Sequence, residues 1–452
     1  MEKNDLALAK KIASAVKECG GETYFVGGCV RDALLNKESK DIDIEVHRIP
    51  PKTLENILDS LGERLEFGKS FGVYNLRGNS IDIAMPRKET ATGKGHRDFA
   101  IDVAPFIGTE KAALRRDFTI GALMQNVLTG EIIDHFGGKH DLENGIIRHV
   151  CEASFSEDPL RVFRAAQFSA RFGFSIADET TVLCKKMDIS SLSKERVWEE
   201  TKKALLKAEK PSVFFENLRI FGKLSPFFVE AEALIGIPQP PKHHAEGDVW
   251  AHTMLVLDEA ANLRGMAKDP LALMVSALVH DFGKIICTSE IDGVYHAYNH
   301  ETAGLPIIKR FLSRLTNEKA LAGYVLNLAK LHMKPNTLAA HKSSVKSTNK
   351  MFSEACVPSD LVLLAIADNR GRICEYEPYD TEPFLSERLA VYEEYMARPY
   401  VAGRDLIEAG LEPGEDFSEI LAYAHKLRLA GIPKDSALKQ TISYAAKIRK
   451  KM

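Results

Sequence analysis

Asp41 and Asp43 are separated by a single residue at the head of the apolar run Ile42, Ile44 and Val46. In a strand, residues i and i+2 share a face, so both carboxylates point one way while Ile42 packs behind. Two like charges held together are costly unless a cation lies between them. Hard oxygen ligands of this kind suit Mg²⁺ bridging substrate phosphates. Asp82, in Ile81-Asp82-Ile83-Ala84, is a candidate third carboxylate from a neighbouring strand. Upstream, Tyr24-Phe25-Val26-Gly27-Gly28-Cys29-Val30-Arg31-Asp32 reads as a strand, a double-glycine turn and a helix start. Gly27 and Gly28 let the backbone approach a triphosphate, and the helix start offers unpaired N–H groups to an anion. Arg31 adds charge on the same side. This chemistry is metal-assisted work on a nucleotide.

A second set lies far along the chain: His252, His280-Asp281 and Asp368. His280-Asp281 follows an apolar helix, and a histidine from the preceding helix and an aspartate from a later one complete the set. Four such groups can enclose a divalent metal. Mixed N/O ligands suit Mn²⁺, Ni²⁺, Co²⁺ or Fe²⁺ as readily as Mg²⁺. A site of this type can activate water against a phosphoester. His243, His244 and His296 read as surface residues.

The elements that must position these groups follow from periodicity. Strands are expected over 23–26, 41–46, 73–76 and 81–85, the last two joined by the turn Arg77-Gly78-Asn79-Ser80. A helix over 5–19 precedes the first strand, with apolar residues at 6, 8, 12, 13 and 16. Beyond about residue 155 the pattern is almost wholly helical, with helices over 157–173, 193–209 and 212–223. Pro238-Gln239-Pro240-Pro241 marks a boundary near 240, and 375–383 marks another. The expected domains are 1–150, 151–240, 241–380 and 381–452.

Composition narrows the class. At roughly 150 residues per domain, 452 residues make two to four domains. Apolar residues at 45% and charged ones at 27% are globular values and exclude a disordered, collagen-like or coiled-coil chain. No continuous apolar run reaches 18 residues, and the start lacks the basic-then-apolar order of a secretory signal. A membrane association is not expected. Seven scattered cysteines without a CxxC pair read as reduced thiols in a cytoplasmic protein. With a net charge of −3, any nucleic-acid surface must come from local clustering. Lys202, Lys203, Lys207 and the basic C-terminal stretch are the candidates.

Gly27-Gly28-x-Val30-Arg31-Asp32 followed by Asp41-x-Asp43 resembles the first motif of class II tRNA nucleotidyltransferases and bacterial poly(A) polymerases, in the polymerase β superfamily. Arg115-Arg116-Asp117-Phe118-Thr119-Ile120-x-Ala122-Leu123 is similar to their second motif, which selects ribose sugars. Asp141-Leu142-x-x-Gly145-Ile146-Ile147-Arg148 resembles the third and Glu157-Asp158-Pro159-Leu160-Arg161-x-x-Arg164-Ala165 the fourth. One departure is Gln167, where the family often carries a third arginine. The polar stretch from Arg87 to Val103 resembles the flexible element of enzymes that add the final A. The segment 242–372 is similar to the HD phosphohydrolase domain fused to some bacterial CCA-adding enzymes. His300 and His332 stand where two-metal members of the HD superfamily carry extra histidines.

The resemblance implies an α+β chain: a polymerase-β-like head with a small mixed sheet, an all-α neck and body, an all-α HD domain and a helical tail. It implies template-independent addition or repair of the 3′-terminal CCA of tRNA from CTP and ATP by two-metal-ion catalysis, with Asp41 and Asp43 holding two Mg²⁺ in the head. Arg116 and Asp117 would lie near the sugar and phosphates, and Asp158, Arg161 and Arg164 would read the base. The base reading has a physical basis. A carboxylate accepts from an exocyclic amino group and a guanidinium donates to a ring nitrogen, an order that cytosine and adenine present and guanine and uracil reverse. Asp158 and Arg161, at i and i+3 of the expected helix, would meet over one face. A second activity is expected in the HD domain, as a phosphatase or 2′,3′-cyclic phosphodiesterase using a divalent transition metal. No protein partner is implied. The competing readings are a CC-only or A-only adding enzyme, a poly(A) polymerase, or an HD phosphohydrolase with an RNA-binding head.

Overall fold

The computed structural model describes residues 3–38, 42–66, 73–91, 99–374 and 380–449. The chain forms two compact units, Met1–Thr201 with Val213–Lys223, and Lys202–Ser212 with Leu224–Met452. The first unit holds strands β1 (Glu22–Val26), β2 (Ile42–His47), β3 (Arg64–Glu66), β4 (Val73–Leu76), β5 (Ile81–Ala84), β6 (Arg87–Ala91), β7 (Phe99–Val103), β8 (Met124–Asn126) and β9 (Ile132–Ile133). Seven of them form one mixed sheet in the order β3-β4-β5-β2-β1-β8-β9. Only β2 and β5 run parallel; the remaining pairs in this sheet are antiparallel. Ile42, Ile44, Val46, Ile81 and Ile83 are all essentially inaccessible, which fixes the register, since a one-residue slip would turn every apolar side chain outward. The helix Lys3–Glu18 buries Ala9, Ile12, Ala13 and Val16 against β1, β2 and the helix Pro51–Leu61. Each such fully buried Ile or Val contributes roughly 1.5–3 kcal/mol.

The polar stretch 87–103, read as resembling a flexible element, is paired at its two ends. Its ends, β6 and β7, pair antiparallel with Arg87 opposite Val103 and Ala91 opposite Phe99. Thr90, Phe99, Ile101 and Val103 favour strands, and the two arms satisfy one another's backbone groups. Residues 92–98 lie outside the described residues. In the same unit the helix Leu160–Phe172 buries Val162, Phe163, Ala165 and Ala166. The rings of Phe155 and Phe168 pack edge-on against Phe118, at 5.7 and 5.5 Å between centroids.

Among the described residues, the second unit is helical apart from one small hairpin. Helices Val249–Leu263, Pro270–Val279, Lys319–Leu331 and Pro358–Arg370 pack on one another at its centre. Their starts are well specified: Asp248 and Asp269 accept hydrogen bonds from Ala251 N and Ala272 N, and Pro270 occupies the first helical turn. The segment Pro270–Cys287 is apolar enough by composition and length to cross a membrane, but 67% of it is buried as the central core of this unit. The C-terminal helices Gly403–Glu408, Phe417–Leu429 and Lys434–Arg449 close around a separate apolar cluster that includes Leu406, Ile420 and Ala424, and the helix Glu382–Ala397 packs on Phe417–Leu429.

Candidate active sites

The parallel pairing of β2 with β5 sets Asp43 directly opposite Asp82. Both side chains leave the sheet on the face opposite Ile42 and Ile81, so the third carboxylate expected from the sequence stands beside Asp43. Asp41 lies outside the described residues. Gly27 follows β1 and caps the helix Gly28–Leu34 with φ of 72°, a left-handed conformation that favours glycine. A Cβ built there would lie 3.5 Å from Arg116 Nη1 and 3.7 Å from Asp43 Oδ2. The glycine turn, the carboxylate strand and the second-motif arginine therefore converge on one place. The fit to a divalent cation with a triphosphate is direct: paired oxygen donors, an open backbone turn and a guanidinium.

Arg31 lies beside the turn, its Nη2 3.5 Å from where a Cβ at Gly28 would be. It is 5% exposed, pairs with Asp32 at 2.7 Å and lies 4.5 Å from the Phe172 ring centroid. It thereby also ties the helix Gly28–Leu34 to the helix Leu160–Phe172.

Glu45, two residues beyond Asp43 on the same face, was not anticipated. It is 2% exposed and binds Arg115 at 3.0 Å and His47 at 2.9 Å, with Arg116 3.9 Å away. Burial alone would raise its carboxyl, but the His47 hydrogen bond and the charges of Arg116 and Arg115 overcome this and hold it at about 2. Against an ordinary 4.5, the stabilisation is fully present above about pH 4.5 and is lost as pH falls toward 2. Glu45→Gln is expected to lower head stability by roughly 1–3 kcal/mol at pH 7. Thermal melts of both proteins should show the gap closing as pH is lowered from 5 to 3; a pH-independent gap would refute the ion-pair account.

Asp158 and Arg161 do not meet as i and i+3 partners. The helix begins at Leu160, so Asp158 precedes it and accepts from Leu160 N at 3.1 Å, while its other oxygen pairs with Arg196 at 2.8 Å. Arg161 donates to the carbonyls of Ser154 and Arg115, at 2.6 and 2.7 Å. Arg164 donates to Asp117 at 2.6 Å, and Asp117 also accepts from Phe118 N. Burial pushes the Asp117 carboxyl up, but the Arg164 charge and hydrogen bond and the Arg161 charge bring it below its ordinary value. The fourth motif is thus latched onto the second through Arg161 and Arg164. Gln167, in place of the family arginine, is fully buried. Lys202 and Lys203 are half-buried on the helix Lys194–Lys207, and Lys207 is exposed.

In the second unit the histidine and aspartate set assembles from five helices and the turns at their ends. His252 Nε2 lies 3.2 Å from Asp368 Oδ1 and 3.8 Å from Asp281 Oδ2; His280 Nε2 lies 3.3 Å from Asp281 Oδ2. On the other side of the same carboxylate, His300 Nε2 and His332 Nε2 lie 3.1 and 3.7 Å from Asp281 Oδ1. Asp281 thus joins two ligand groups, His252 with His280 and His300 with His332, each with donor atoms within 4.8 Å of one another. All six side chains are buried. Their spacing depends on a close approach of two turns: a Cβ at Gly283 would fall 1.9 Å from the His300 carbonyl oxygen.

The outer contacts fix the ring tautomers. His280, His300 and His332 each hold Nδ1 against a backbone carbonyl, of Ala277, Ala297 and Ala329, at 2.8, 2.8 and 2.6 Å. A carbonyl can only accept, so Nδ1 carries the proton and Nε2 of the neutral ring presents a lone pair. His252 Nδ1 is held instead by Glu246 at 3.0 Å. Burial, with His280 and His300 close by, lowers His332 to about 3 and keeps it neutral. Burial opposes ionisation of Asp281 and Asp368, yet Lys284 and His280 beside one and Arg372 and His252 beside the other hold both well below the carboxylate range. The Nε2 atoms of His300 and His332 face each other at 3.2 Å. Lone pairs and carboxylates converging in this way make a donor set for divalent cations.

A cavity of about 690 Å³ opens onto this cluster, lined by Asp281, Lys284, His300, His332, Asp368 and Arg372 among others. His243, His244 and His296, read from the sequence as surface residues, also line it. His244 is drawn in by Glu246 at 2.8 Å. Lys284 was missed although it sits one helical turn after Asp281, to which it pairs at 2.8 Å. Arg372 was missed although it lies four residues after Asp368, to which it pairs at 3.2 Å, whereas the contacts of Glu246 with His252 and of Asn336 with Asp368 match no helix or strand period.

Residues 23–148 match the Poly A polymerase head domain family. Over nearly the whole length, a multifunctional CCA protein of Actinobacillus pleuropneumoniae is 37% identical across 424 residues, 91% of this chain and 98% of that protein. One of Pasteurella multocida is 37% identical over 86% of this chain and 92% of its own. In fold, the chain is similar to a Thermotoga maritima CCA-adding enzyme solved with tRNA, with a TM-score of 0.67 and 20% identity over 98% of this chain and 96% of that one. Identity at this level across both units, and not the head match alone, shows that the chain belongs to the multifunctional CCA protein family.

Proposed function

We propose that the first unit adds or repairs the 3′-terminal CCA of tRNA from CTP and ATP, in the cytoplasm. The observation that carries this is the Asp43–Asp82 pairing beside Gly27 and Arg116 in a chain related along its length to multifunctional CCA proteins. Asp43 and Asp82, with Asp41, would hold Mg²⁺, which lowers the pKa of the attacking 3′-hydroxyl and neutralises the triphosphate. The 3′-oxygen bonds to the α-phosphorus as the bond to pyrophosphate breaks. The Gly27-Gly28 backbone and Arg116 orient the triphosphate, and Asp158 with Arg161 and Arg164 selects the base. Basic side chains, with Lys202, Lys203 and Lys207 as candidates, would hold the tRNA by backbone charge and shape. Incubation with tRNA lacking CCA and each labelled nucleotide in turn should give incorporation of C and A only. Incorporation of C alone or A alone, or long A tails, would replace this reading with a narrower or a polymerising one.

Asp158→Ala is expected to admit U and G while leaving triphosphate affinity within about threefold, because phosphate contacts lie elsewhere. The contact with Arg196 at 2.8 Å supports this assignment, since it holds the carboxylate in place without a base. Unchanged refusal of U and G by this variant would overturn the template role.

In the second unit we propose phosphoester hydrolysis. His252, His280, Asp281 and Asp368 would hold one divalent ion, and Asp281, His300 and His332 a second. Ions such as Ni²⁺, Mn²⁺, Co²⁺ or Fe²⁺ would activate water there. Oxygen from water bonds to phosphorus, the ester P–O bond breaks, and the alcohol leaves with a proton. Lys284 and Arg372, each fixed by a carboxylate, supply positive charge where the phosphoryl group gains negative charge.

A further inference from the structure

The outer partners of the metal-ligand histidines are not alike. His280, His300 and His332 each back onto a neutral peptide carbonyl, whereas His252 backs onto the carboxylate of Glu246, at 3.0 Å. Glu246 stands on the loop before the helix Val249–Leu263, and its side chain is only 2% exposed. Its Oε1 also receives His244 Nδ1 at 2.8 Å, and its Oε2 accepts from Ile373 N at 3.0 Å. Three donors around two oxygens keep this group an acceptor, so Nδ1 of each ring carries a proton. The His252 ring is thereby held with Nε2 toward Asp368, 3.2 Å away. A second brace lies alongside, where Ala245 N donates to the Ile373 carbonyl at 2.7 Å. Ile373 follows the helix Pro358–Arg370, which carries Asp368. One carboxylate thus ties together the two segments that bring His252 and Asp368 to the first ion position. None of these contacts reaches His300 or His332.

We propose that the two ion positions are unequal and that Glu246, acting through His252, makes them so. The position on His252, His280, Asp281 and Asp368 binds more tightly and fills first. The position on Asp281, His300 and His332 fills second. Glu246 is a positioning residue and not itself a ligand. The inference rests on the reading of this cluster as a donor set for divalent cations. A peptide carbonyl polarises an imidazole weakly, whereas a carboxylate draws on the Nδ1 proton and makes Nε2 a stronger donor. Lys284 and Arg372 stand against Asp281 Oδ2 and Asp368 at 2.8 and 3.2 Å, on the side of the first position. Their positive charge opposes an ion there, and the Glu246 carboxylate offsets it.

Ni²⁺ titrated by calorimetry into the full, metal-free chain reads the two positions without reference to turnover. His332→Ala keeps the first position and His252→Ala the second, and the former variant should bind its ion more tightly. Glu246→Gln keeps the shape of the side chain and removes its charge. Added to His332→Ala, it should weaken the remaining ion by about 10–100-fold, the scale of such outer partners. Added to His252→Ala, it should change nothing, because Glu246 acts through His252 alone. An affinity unmoved by Glu246→Gln in the His332→Ala chain overturns the proposal. Equal weakening in both chains also overturns it, since a general support of the fold would act on both. Tighter binding by His252→Ala than by His332→Ala refutes the order of filling. A wild type that binds no Ni²⁺ overturns the donor-set reading and the proposal with it.

Discussion

Asp43→Ala is expected to reduce nucleotide addition by at least about a hundredfold, the scale on which single electrostatic groups act in transfer reactions. Asp43 is the described carboxylate that faces Asp82 in register and also lies beside the Gly27 turn. Removing it leaves the pair half-formed and takes one acidic partner away from Arg116, whose charge it offsets. The β2 strand itself should survive, because Ile42, Ile44 and Val46 bury the opposite face. The check is incorporation of labelled CTP into tRNA lacking CCA, alongside a thermal melt to show that the head is intact. Addition above a few per cent of wild type in a folded variant would sink the cation assignment. Phosphoester hydrolysis by the same preparation should be unchanged, since its groups belong to the other unit.

The second large effect is expected from Asp281→Ala. One oxygen of this carboxylate faces His252 and His280, and the other faces His300 and His332. Its loss should empty both proposed ion positions at once. His332→Ala, by contrast, touches only the second and should leave one. Metal content measured after loading with Ni²⁺ and desalting therefore reads the arrangement without reference to turnover: two ions per chain in the wild type, one in His332→Ala, none in Asp281→Ala. Hydrolysis should fall by at least about a hundredfold in Asp281→Ala, while CCA addition persists. Retention of two ions by Asp281→Ala would refute the shared-ligand geometry. Collapse of CCA addition in a folded variant would refute the independence of the two activities. The Lys284 side chain, left without its carboxylate partner, makes a melt of this variant a necessary companion measurement.

What the sequence determined by itself was the chemistry that depends on local spacing. The i, i+2 alternation of Asp41, Ile42 and Asp43 specifies a strand with an acidic face, and Val26-Gly27-Gly28 specifies a turn that only glycine accommodates easily. The His280-Asp281 pair at the end of an apolar helix was equally plain. Four head strands and the helical pattern beyond about residue 155 followed from periodicity, because a core face repeats along each element, while the small mixed sheet was implied by the family resemblance. The tertiary structure decided everything carried by contacts between distant segments. The opposition of Asp82 to Asp43 needs the parallel register of two strands almost forty positions apart. Arg31 stands beside the Gly28 turn, and its ion pair with Asp32 and its packing on Phe172, which also covers apolar surface, were not legible in the motif. Arg196 reaches Asp158, Glu45 reaches Arg115, and Glu246 reaches His252, and none of these pairs has a spacing that a helix or strand period would reveal. His244 and His296, read as surface residues, became half-buried cavity walls for the same reason, while His243 lines the cavity and is exposed as read.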